Sequence, residues 1–352
     1  MRESKAAHGP DALDELDLAL VHALQLAPRA TWSGLGPVLG VDPATLARRW
    51  RRLEATGAAW ITCHPGGPGT LGATSVALVE VQVAPGRIPE VATALARHTH
   101  AVNIEYLTGN RDLLITAIAA DADALAQYLQ VRLPAVPGIT GIRVQLPIRL
   151  YKDSGSWRLR ALDRREREQL ATAPLPPASA ARGLDDDDRA LLLELGPDGR
   201  LGTAELARRL GTTGVTVARR LSRLVASGQA RFRCEVARSL TGWPVCMTWW
   251  LRVPAAELDE TAARLTALGD VRMCCAVTGT ANLVVVVWLR RASDAPALEV
   301  DWSRRFPRLG VLDSAMTIQV VKRMGRVVGP DGHGTGFVPL DIWSDPLAGI
   351  DS

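Results

Sequence analysis

The sequence predicts an α+β protein in which two winged helix-turn-helix domains are each followed by a ferredoxin-like βαββαβ sandwich domain. Two observations predict this fold class. The stretch from Leu13 to Cys63 recurs without a gap from Leu184 to Cys234, at a constant offset of 184 − 13 = 171 residues. Each copy is then followed by a pattern of strand, helix, strand, strand, helix and strand. A repeat of this length indicates duplicated domains.

Length and composition bound the kind of protein. The chain has 352 residues, of which 47% are hydrophobic and 22% are charged, so it can form roughly two to four domains with their own cores. The net charge of +4 and the pI near 9.0 permit a nucleic-acid partner without requiring one. Only three of the 41 basic residues are lysines, so the arginine content can reflect genome base composition as much as function.

Several classes of protein are not expected. The five cysteines lack the paired spacing of zinc sites or disulfide frameworks, so we interpret them as small apolar core residues and expect no metal and no other cofactor. The longest apolar runs, such as Leu283 to Leu289, fall well short of the roughly 20 residues that span a bilayer. No secretion signal opens the chain. We therefore expect a cytoplasmic protein without a membrane partner.

The first helix-turn-helix domain begins with two predicted helices. Leucines recur at helical spacing within Asp14 to Leu26, which predicts a helix with one apolar face. The second helix, near Trp32 to Leu39, is weaker, because two glycines and Pro37 disfavour a helix and an interior proline costs about 3 kcal/mol. Its counterpart in the second copy, Thr203 to Leu210, has no such defect.

The third helix, within Val41 to Gly57, is typical of helices that read DNA. Asp42 can cap its start, Pro43 suits the first helical position, and Gly57 suits the residue after its end. One face is apolar, while the opposite face carries small residues and then arginines, which can enter a major groove and bond to guanine edges and phosphates. A solvated amphipathic helix is the alternative reading of one copy alone, and the duplication favours DNA binding. The candidate DNA-binding residues are Ala44, Thr45, Arg48, Arg49 and Arg52 in the first copy and Val215, Thr216, Arg219, Arg220 and Arg223 in the second.

The remaining elements follow the same order in both copies. Short strands at Ala59 to His64 and Ala230 to Val236 could each form a wing, and alternating apolar runs predict the sandwich strands. A charged and then proline-rich stretch between the halves predicts a linker. The predicted domains are a first helix-turn-helix over residues 1–65, polar and frayed over 1–12, a first sandwich over 70–152, the linker over 153–183, a second helix-turn-helix over 184–236, a second sandwich over 243–324, and a mostly irregular tail over 325–352 in which Phe337 and Trp343 could dock.

The motifs LDELD, ATLARRWRRLEATG and TGNRDLL, in this order and duplicated, resemble the Lrp/AsnC family of leucine-responsive and asparagine-synthesis regulators. The resemblance covers nearly all of the chain outside the linker and tail, as two such regulators fused head to tail. It implies a sequence-specific transcriptional regulator whose partners are double-stranded DNA and a small effector, typically an amino acid. It also implies that the α+β domains pair, that pairs assemble further into homo-oligomers, and that the effector binds near the glycine turn after the second strand.

Carried over to this sequence, the resemblance gives two candidate effector sites. A glycine permits a positive φ, and exposed backbone N–H groups beside a carboxylate could hold both ends of an amino acid zwitterion. In the second turn, Asn282 stands where the first turn has Asp112, so an ammonium group loses its counter-charge there. We therefore expect two unequal pockets or a single one, and a hairpin turn without ligand is the alternative. The candidate effector residues are Thr108, Gly109, Asn110 and Asp112 in the first copy and Thr278, Gly279, Thr280 and Asn282 in the second.

The duplication predicts an intramolecular pseudo-dimer. Linked α+β domains have an effective concentration on the order of millimolar, so the internal pair should not dissociate. One chain can then present both recognition helices to DNA. Because these helices differ in sequence, we expect asymmetric half-sites roughly one helical turn apart.

Two other functions stay open at this stage. Proteins that resemble this family, also as fused copies, decarboxylate siroheme, a tetrapyrrole with many carboxylates that arginines and histidines could bind. Only His98 and His100 lie close together in this sequence, and no nucleophile, metal or phosphate-loop motif is present. The third possibility is an effector-binding scaffold without DNA binding, which the weak helix at Trp32 to Leu39 motivates.

Overall fold

The computed structural model describes residues 13–66, 75–170 and 183–348. The expected fraying over residues 1–12 and most of the proline-rich part of the predicted linker lie outside the described residues. The described helices are α1 (Glu15–Leu26), α2 (Trp32–Leu39), α3 (Pro43–Ala55), α4 (Ile88–Ala96), α5 (Ala122–Gln127), α6 (Arg164–Leu170), α7 (Asp186–Leu195), α8 (Thr203–Arg209), α9 (Gly214–Ala226), α10 (Leu258–Thr266) and α11 (Ala295–Arg305). The described strands are β1 (Ala59–Pro65), β2 (Ser75–Val83), β3 (Ala101–Leu107), β4 (Leu113–Ala119), β5 (Ile139–Gln145), β6 (Pro147–Lys152), β7 (Ala230–Val236), β8 (Val245–Arg252), β9 (Val271–Val277), β10 (Leu283–Leu289), β11 (Gly310–Arg323), β12 (Arg326–Val328) and β13 (Gly334–Phe337). The predicted fold class is confirmed.

The predicted recognition helix α3 begins and ends as its sequence indicates. The Asp42 carboxylate accepts hydrogen bonds from the amides of Ala44 (2.9 Å) and Thr45 (3.2 Å), and this satisfies two backbone donors at the helix start. Gly57 follows the helix with a φ of +68°, a conformation that favours glycine. Its apolar face is buried in the core of the first helix-turn-helix unit, through Leu46, Trp50 and Leu53.

The second helix forms over the predicted residues, Trp32–Leu39, despite its glycines and proline. Thr31 caps the helix by accepting from the Gly34 amide at 3.1 Å. A Cβ on Gly36 would lie 3.0 Å from the Val41 carbonyl oxygen and 3.2 Å from the Pro43 side chain. Glycine at this position therefore allows α2 to approach the start of α3 closely, which offsets its poor helix propensity.

Strands β1 and β7 pair with each other instead of forming separate wings. They run antiparallel over their full length, from Ala59 opposite Val236 to Pro65 opposite Ala230. The pairing satisfies the backbone groups of both strands, which two isolated single strands could not do. The two helix-turn-helix units are thus joined by a shared two-stranded ribbon.

Two equivalent arginines, 171 residues apart, also tie the helix-turn-helix units together. Arg29 donates to the carbonyl oxygens of Gly199 and Leu201. In return, Arg200 donates to Pro28 O at 2.6 Å and to Ala30 O at 2.8 Å. Each loop between the first and second helix therefore receives an arginine from the other unit, and the two units form one pseudo-symmetric pair.

The two sandwich sheets have the same strand order and exchange their last strands. The first sheet has the order β5-β2-β4-β3 and the second the order β11-β8-β10-β9. After a break at Leu146, β6 leaves the first half and pairs with β9 of the second. Strand β11 pairs with β8 up to Met316 and then with β3 from Thr317 onward. Each half therefore completes the sheet of the other.

The two sheets also pack against each other. Apolar side chains from both halves form one buried cluster between them, with Leu78 and Leu114 on the first sheet and Trp250, Cys275 and Val284 on the second. Helices α4 and α5 cover the first sheet and α10 and α11 cover the second, each over its own core. The sandwich domains are docked by strand exchange and by a shared apolar core.

The first part of the predicted linker belongs to the core of the first helix-turn-helix unit. Trp157, Leu159, Leu162 and Leu170 are each at most 8% exposed and pack against that unit. The Leu162 amide donates to His22 Nδ1 at 3.0 Å. Burial lowers the pKa of His22 to about 4, so the ring is neutral near pH 7 and can accept this bond. Interpreting residues 157–170 as a free linker is therefore wrong, because their spaced apolar side chains cover α1.

The C-terminal tail docks on both helix-turn-helix units. Strands β12 and β13 pair, and the Gly334 amide donates to the Gly57 carbonyl oxygen at 2.8 Å. Arg326 donates to Pro197 O at 2.6 Å in the second unit. Phe337 packs beside Val102, and Trp343 packs against the core of the second helix-turn-helix unit. The expected docking of these two aromatic residues is confirmed.

Within the described residues, none of the helices has the length and apolar character needed to cross a bilayer. The same part of the chain contains no group of three or more histidine, cysteine, aspartate or glutamate side chains placed to hold a metal ion.

Candidate DNA-binding surface and effector cleft

The recognition helices α3 and α9 expose equivalent side chains. On α3, Ala44, Arg48 and Arg51 are exposed and Thr45 is half-buried. On α9, Val215 and Arg219 are exposed at the positions that correspond to Ala44 and Arg48, and Thr216 corresponds to Thr45. Neither helix hides its outer face, so both can contact a groove of DNA.

Four candidate arginines instead contact acidic residues of the first helix in their own unit. In the first unit, Arg49 Nη1 lies 2.6 Å from Asp14 Oδ2 and 2.9 Å from Asp17 Oδ1, and Arg52 also pairs with Asp17. These hydrogen bonds to Asp14 and Asp17 raise the pKa of Arg49 above its usual value. Asp17 is 1% exposed, so its charge requires a cationic partner.

The second unit repeats this arrangement. Arg220 Nη1 lies 2.9 Å from both Asp185 Oδ1 and Asp188 Oδ1, and Arg223 pairs with the fully buried Asp188. The four paired arginines orient the recognition helices on α1 and α7, and their charge is largely neutralised by their own domain. Arg48 and Arg219 have no such acidic partner among the described residues.

The two recognition helices differ where they would first enter a groove. Val215 is 80% exposed, whereas the corresponding residue of α3 is the smaller Ala44. About two turns further along, Arg51 of α3 is exposed and corresponds to Ser222 of α9. Arg51 is not among the DNA-binding residues that the sequence predicts. The two outer faces therefore differ in charge and in apolar surface.

The two glycine turns are joined to the exchanged strands in the same way. Thr108 donates its amide to Met316 O at 3.0 Å, and its hydroxyl accepts from the Met316 amide at 2.9 Å. Thr278 makes the same pair of bonds to Leu146, at 3.0 and 2.9 Å. Gly109 and Gly279 have φ values of +93° and +111°, which favour glycine. The structure thus places both predicted turns where the two sandwiches meet.

A cleft of about 590 Å³ opens beside the first turn. It brings three of the four predicted residues of that turn together, and Thr108 does not line it. Charged and amide groups of the first half surround it, and β11 of the second half adds one acid. The lining residues are Gln82, Val83, Gly109, Asn110, Arg111, Asp112, Thr140, Arg143 and Asp313.

Arg111 is the functional candidate that the sequence analysis missed. Its side chain is 4% exposed, and its Nη2 lies 2.5 Å from Asp313 Oδ2. Its guanidinium centre lies 3.8 Å from the centroid of the Trp250 ring, which belongs to the second half. Arg111 belongs to the TGNRDLL motif, but its contacts Asp313 and Trp250 are distant in sequence. The spacing of residues within the motif therefore could not identify its role.

In the second turn, the corresponding groups are satisfied by the protein itself. Asn282 accepts from the Val253 amide at 2.9 Å and donates to the Val253 carbonyl oxygen at 2.7 Å. Ala281 replaces Arg111, and Arg252 donates to Thr280 O at 3.0 Å. Thr278, Gly279 and Thr280 are exposed. The second turn therefore offers fewer free polar groups than the first.

The two histidines that lie close together in sequence, His98 and His100, lie inside the first sandwich. The rings of His98 and His100 lie 5.8 and 5.5 Å from the ring of Tyr128, measured between centroids. Burial lowers the pKa of His98 to about 4 and also lowers the pKa of His100. Neither histidine lines the cleft, so the two are not placed to act on a ligand bound there.

Comparison with protein families matches both halves of the chain. A family model of the AsnC-type helix-turn-helix domain matches residues 13–54 and 184–225. A model of the Lrp/AsnC ligand binding domain matches residues 76–157, which is the first sandwich.

Curated relatives correspond to one half of the chain. The HTH-type transcriptional regulator LrpA of Mycobacterium tuberculosis is 35% identical over 121 residues, which cover 33% of this chain and 77% of that protein. The HTH-type transcriptional regulator FL11 of Pyrococcus horikoshii is 25% identical over 142 residues, which cover 40% of this chain and 93% of that protein.

A solved structure resembles both halves together. The siroheme decarboxylase NirDL superposes with a TM-score of 0.55 at 16% identity, over 88% of this chain and 93% of that chain. At this identity the likeness is one of fold. The tandem arrangement of this chain therefore resembles one that occurs in a solved structure.

Proposed function

The chain belongs to the Lrp/AsnC family, and we propose that it is a transcriptional regulator that binds double-stranded DNA through α3 and α9 and is modulated by a small effector in the sandwich domains. The observation that carries this proposal is the pair of exposed recognition helices, held together by the β1–β7 ribbon and by Arg29 and Arg200.

The proposed DNA contacts divide into two groups. Arg48, Arg51 and Arg219 are free to contact base edges or phosphates, together with the small tip residues Ala44, Thr45 and Thr216. Arg49, Arg52, Arg220 and Arg223 act mainly by fixing the helices against buried acids, with their remaining N–H groups available to phosphates. The exposed methyl groups of Val215 suit a thymine methyl group, so the half-site of α9 should be richer in thymine than that of α3.

The test uses two double variants that remove the same charge. Arg48→Ala with Arg219→Ala should weaken specific retention in a gel shift roughly 10- to 100-fold or more, since a good base contact contributes about 1–3 kcal/mol. Arg291→Ala with Arg304→Ala removes two exposed arginines from the second sandwich and should leave retention unchanged. The operator is first obtained by selecting bound genomic fragments, and equal retention by both variants would remove DNA binding by these helices from the proposal.

The effector is proposed to bind beside the first glycine turn, through Gly109, Asn110 and Asp112, with Thr108 holding the turn. The second turn, Thr278, Gly279, Thr280 and Asn282, is proposed to keep a structural role. The exchanged strands β6 and β11 support an intramolecular pseudo-dimer, and further homo-oligomers are proposed from the resemblance to the family.

An enzyme is the second candidate, because the fold resembles the siroheme decarboxylase NirDL over both halves. The proposal that this chain is not an enzyme is supported by the position of His98 and His100, which pack on Tyr128 and do not line the cleft. Mixing the purified protein with siroheme decides between the two. A shift of the Soret band together with release of carbon dioxide would establish the decarboxylase, and neither change is expected.

A further inference from the structure

The β1–β7 ribbon joins the two helix-turn-helix units, but two antiparallel strands alone are a flexible connection. Two-stranded ribbons twist more than larger sheets, and an isolated one is marginally stable in water. Twisting of the ribbon would change the distance and the angle between α3 and α9. A fixed arrangement of the two recognition helices therefore needs further contacts between the units.

Arg29 and Arg200 supply such contacts just before the second helix of each unit. Arg200 donates to the carbonyl oxygens of Pro28 and Ala30, at 2.6 and 2.8 Å, in the loop that leads into α2. Arg29 makes the two equivalent bonds to the loop that leads into α8. Hydrogen bonds from a guanidinium are stronger than neutral ones, and its planar group of donors fixes orientation as well as distance.

An aromatic ring of the opposite unit holds each guanidinium group in place. The Arg200 guanidinium centre lies 4.0 Å from the centroid of the ring of Trp32, the first residue of α2. The Arg29 guanidinium centre lies 5.3 Å from the centroid of the Phe232 ring on β7. Each arginine thus stacks on a ring and bonds to a loop of the other unit, which restricts its rotamers.

The loop before α8 also packs directly on the ribbon. The Gly199 amide donates to Ile61 O at 2.8 Å. A Cβ on Gly199 would lie 2.5 Å from the Ile61 side chain and 3.1 Å from the Phe232 ring, so glycine permits this close approach. The second unit therefore cannot slide along β1 without losing this contact.

The β12–β13 hairpin contacts both units as well, with one bond to each. Gly334 donates to Gly57 O at 2.8 Å, and Arg326 donates to Pro197 O at 2.6 Å. These bonds lie just after the ends of α3 and α7, whereas the arginine pair bonds to the residues that lead into α2 and α8. Because α2 packs on α3 and α8 packs on α9, the arginine pair acts more directly on the recognition helices.

We infer that Arg29 and Arg200 are positioning residues that fix the distance and the angle between α3 and α9, so that the protein selects operators by the number of base pairs between their half-sites. Each added base pair moves one half-site by about 3.4 Å and rotates it by roughly 35°. A fixed pair of helices cannot follow this displacement, whereas a pair joined by the ribbon alone could twist to follow it. The inference rests on the proposed DNA binding and adds the residues that select the spacing.

Gel shifts on a series of operators test the inference, with one or two base pairs added to or removed from the centre of the selected operator. The unaltered chain should lose retention about tenfold or more when the spacing changes by one base pair. In Arg29→Met with Arg200→Met, which keeps an apolar side chain on each ring, this loss should shrink to about threefold or less. Arg291→Met with Arg304→Met removes the same charge from exposed positions of the second sandwich and should keep the full loss.

The ratio of retention between spacings separates positioning from a general contribution to folding. A purely structural role of the two arginines would lower retention equally at every spacing and leave the ratio unchanged, and this result would overturn the inference. Equal retention at neighbouring spacings by the unaltered chain would also overturn it, and would leave the DNA-binding proposal intact.

Spin labels measure the arrangement of the helices without DNA. Arg51→Cys with Ser222→Cys provides labelling sites at equivalent exposed positions of α3 and α9, and the five native cysteines are buried. The distribution of distances between the labels should be narrow, and should broaden in Arg29→Met with Arg200→Met, or in either single variant if the double variant fails to fold. Equal widths would contradict the inference. Broadening in a chain that retains no DNA would support the positioning role and overturn the proposed DNA binding.

Discussion

Lys322 is a fully buried lysine that β11 of the second half inserts into the first half. Its Nζ donates to the His98 carbonyl oxygen at 2.8 Å, at the C-terminal end of α4. Lys152 is its counterpart on β6 and donates to Thr266 O at 3.0 Å, at the end of α10. Each lysine N–H satisfies a carbonyl oxygen at the C-terminal end of a helix, so each exchanged strand stabilises a helix of the other half.

The burial of Lys322 makes the stability of the protein depend on pH. Burial lowers the pKa of Lys322 from 10.5 to about 7, so the unfolded chain binds more protons than the folded chain between these values. The free energy of unfolding should therefore rise with pH across this window. Lys322→Met removes the titrating group and should flatten the rise, measured by urea unfolding at pH 7 and pH 9. Lys152→Met, at the less buried equivalent position, should change the slope less, and an unchanged slope in Lys322→Met would contradict the assignment.

Residue roles could be predicted only where the partner is local. The capping role of Asp42 follows from its position before Pro43, and in the structure its carboxylate caps the helix. The pairing of Arg49 and Arg52 with Asp17 could not be read from a helical wheel, because a wheel separates an outer face from an inner one without showing the neighbouring helix. Arg111 was missed for the same reason, since its contacts Trp250 and Asp313 lie in the other half.

At the scale of elements, Gly57 connects α3 to the tail. A Cβ at this position would clash with the backbone of Gly334 and lie 2.8 Å from its amide nitrogen. Gly57→Ala should therefore cost more than the roughly 1–2 kcal/mol of a left-handed alanine, because the β12–β13 hairpin must move. Gly40→Ala is the matched control, since Gly40 has a φ of +63° and nothing within 4 Å of the added Cβ.

Urea unfolding and limited proteolysis measure the two effects of Gly57→Ala. The variant should lose more stability than Gly40→Ala and should release the tail to protease at concentrations that leave Gly40→Ala intact. Equal losses in the two variants would mean that the tail does not press on the end of α3.

The ends of the helices were predictable from sequence, and the pairing of the strands was not. The predicted bounds of helix α3 agree with the observed bounds to within two residues, because the capping residues that mark a helix end act over a single turn. Strands β5 and β6 are separated only by Leu146, where the chain passes from one sheet to the other. Hydrophobic alternation shows which face of a strand is buried but not which sheet receives it.

At the scale of the whole molecule, the asymmetric interface favours the pairing of unlike halves. In a homodimer of first halves, pseudo-symmetry would place Arg143 where Arg111 now meets Asp313, and Glu80 where it now meets Trp250. Arg111 and Arg143 would then bring two like charges together, which is unfavourable, and Arg111 would lose the Trp250 ring on which it now stacks. In a homodimer of second halves, Ala281 would leave the space of Arg111 unfilled.

Dividing the chain after residue 175 tests this selectivity. When the two fragments are co-expressed, native mass spectrometry should find mainly the heterodimer, because only unlike halves bring Arg111 to Trp250 and Asp313. Arg111→Gln in the first fragment removes the repelling charge and should raise the share of its homodimer. If homodimers dominate with the unaltered fragments, the strand exchange between β6 and β11 does not distinguish the halves. In that case only the covalent connection between the halves would pair the two different recognition helices, α3 and α9.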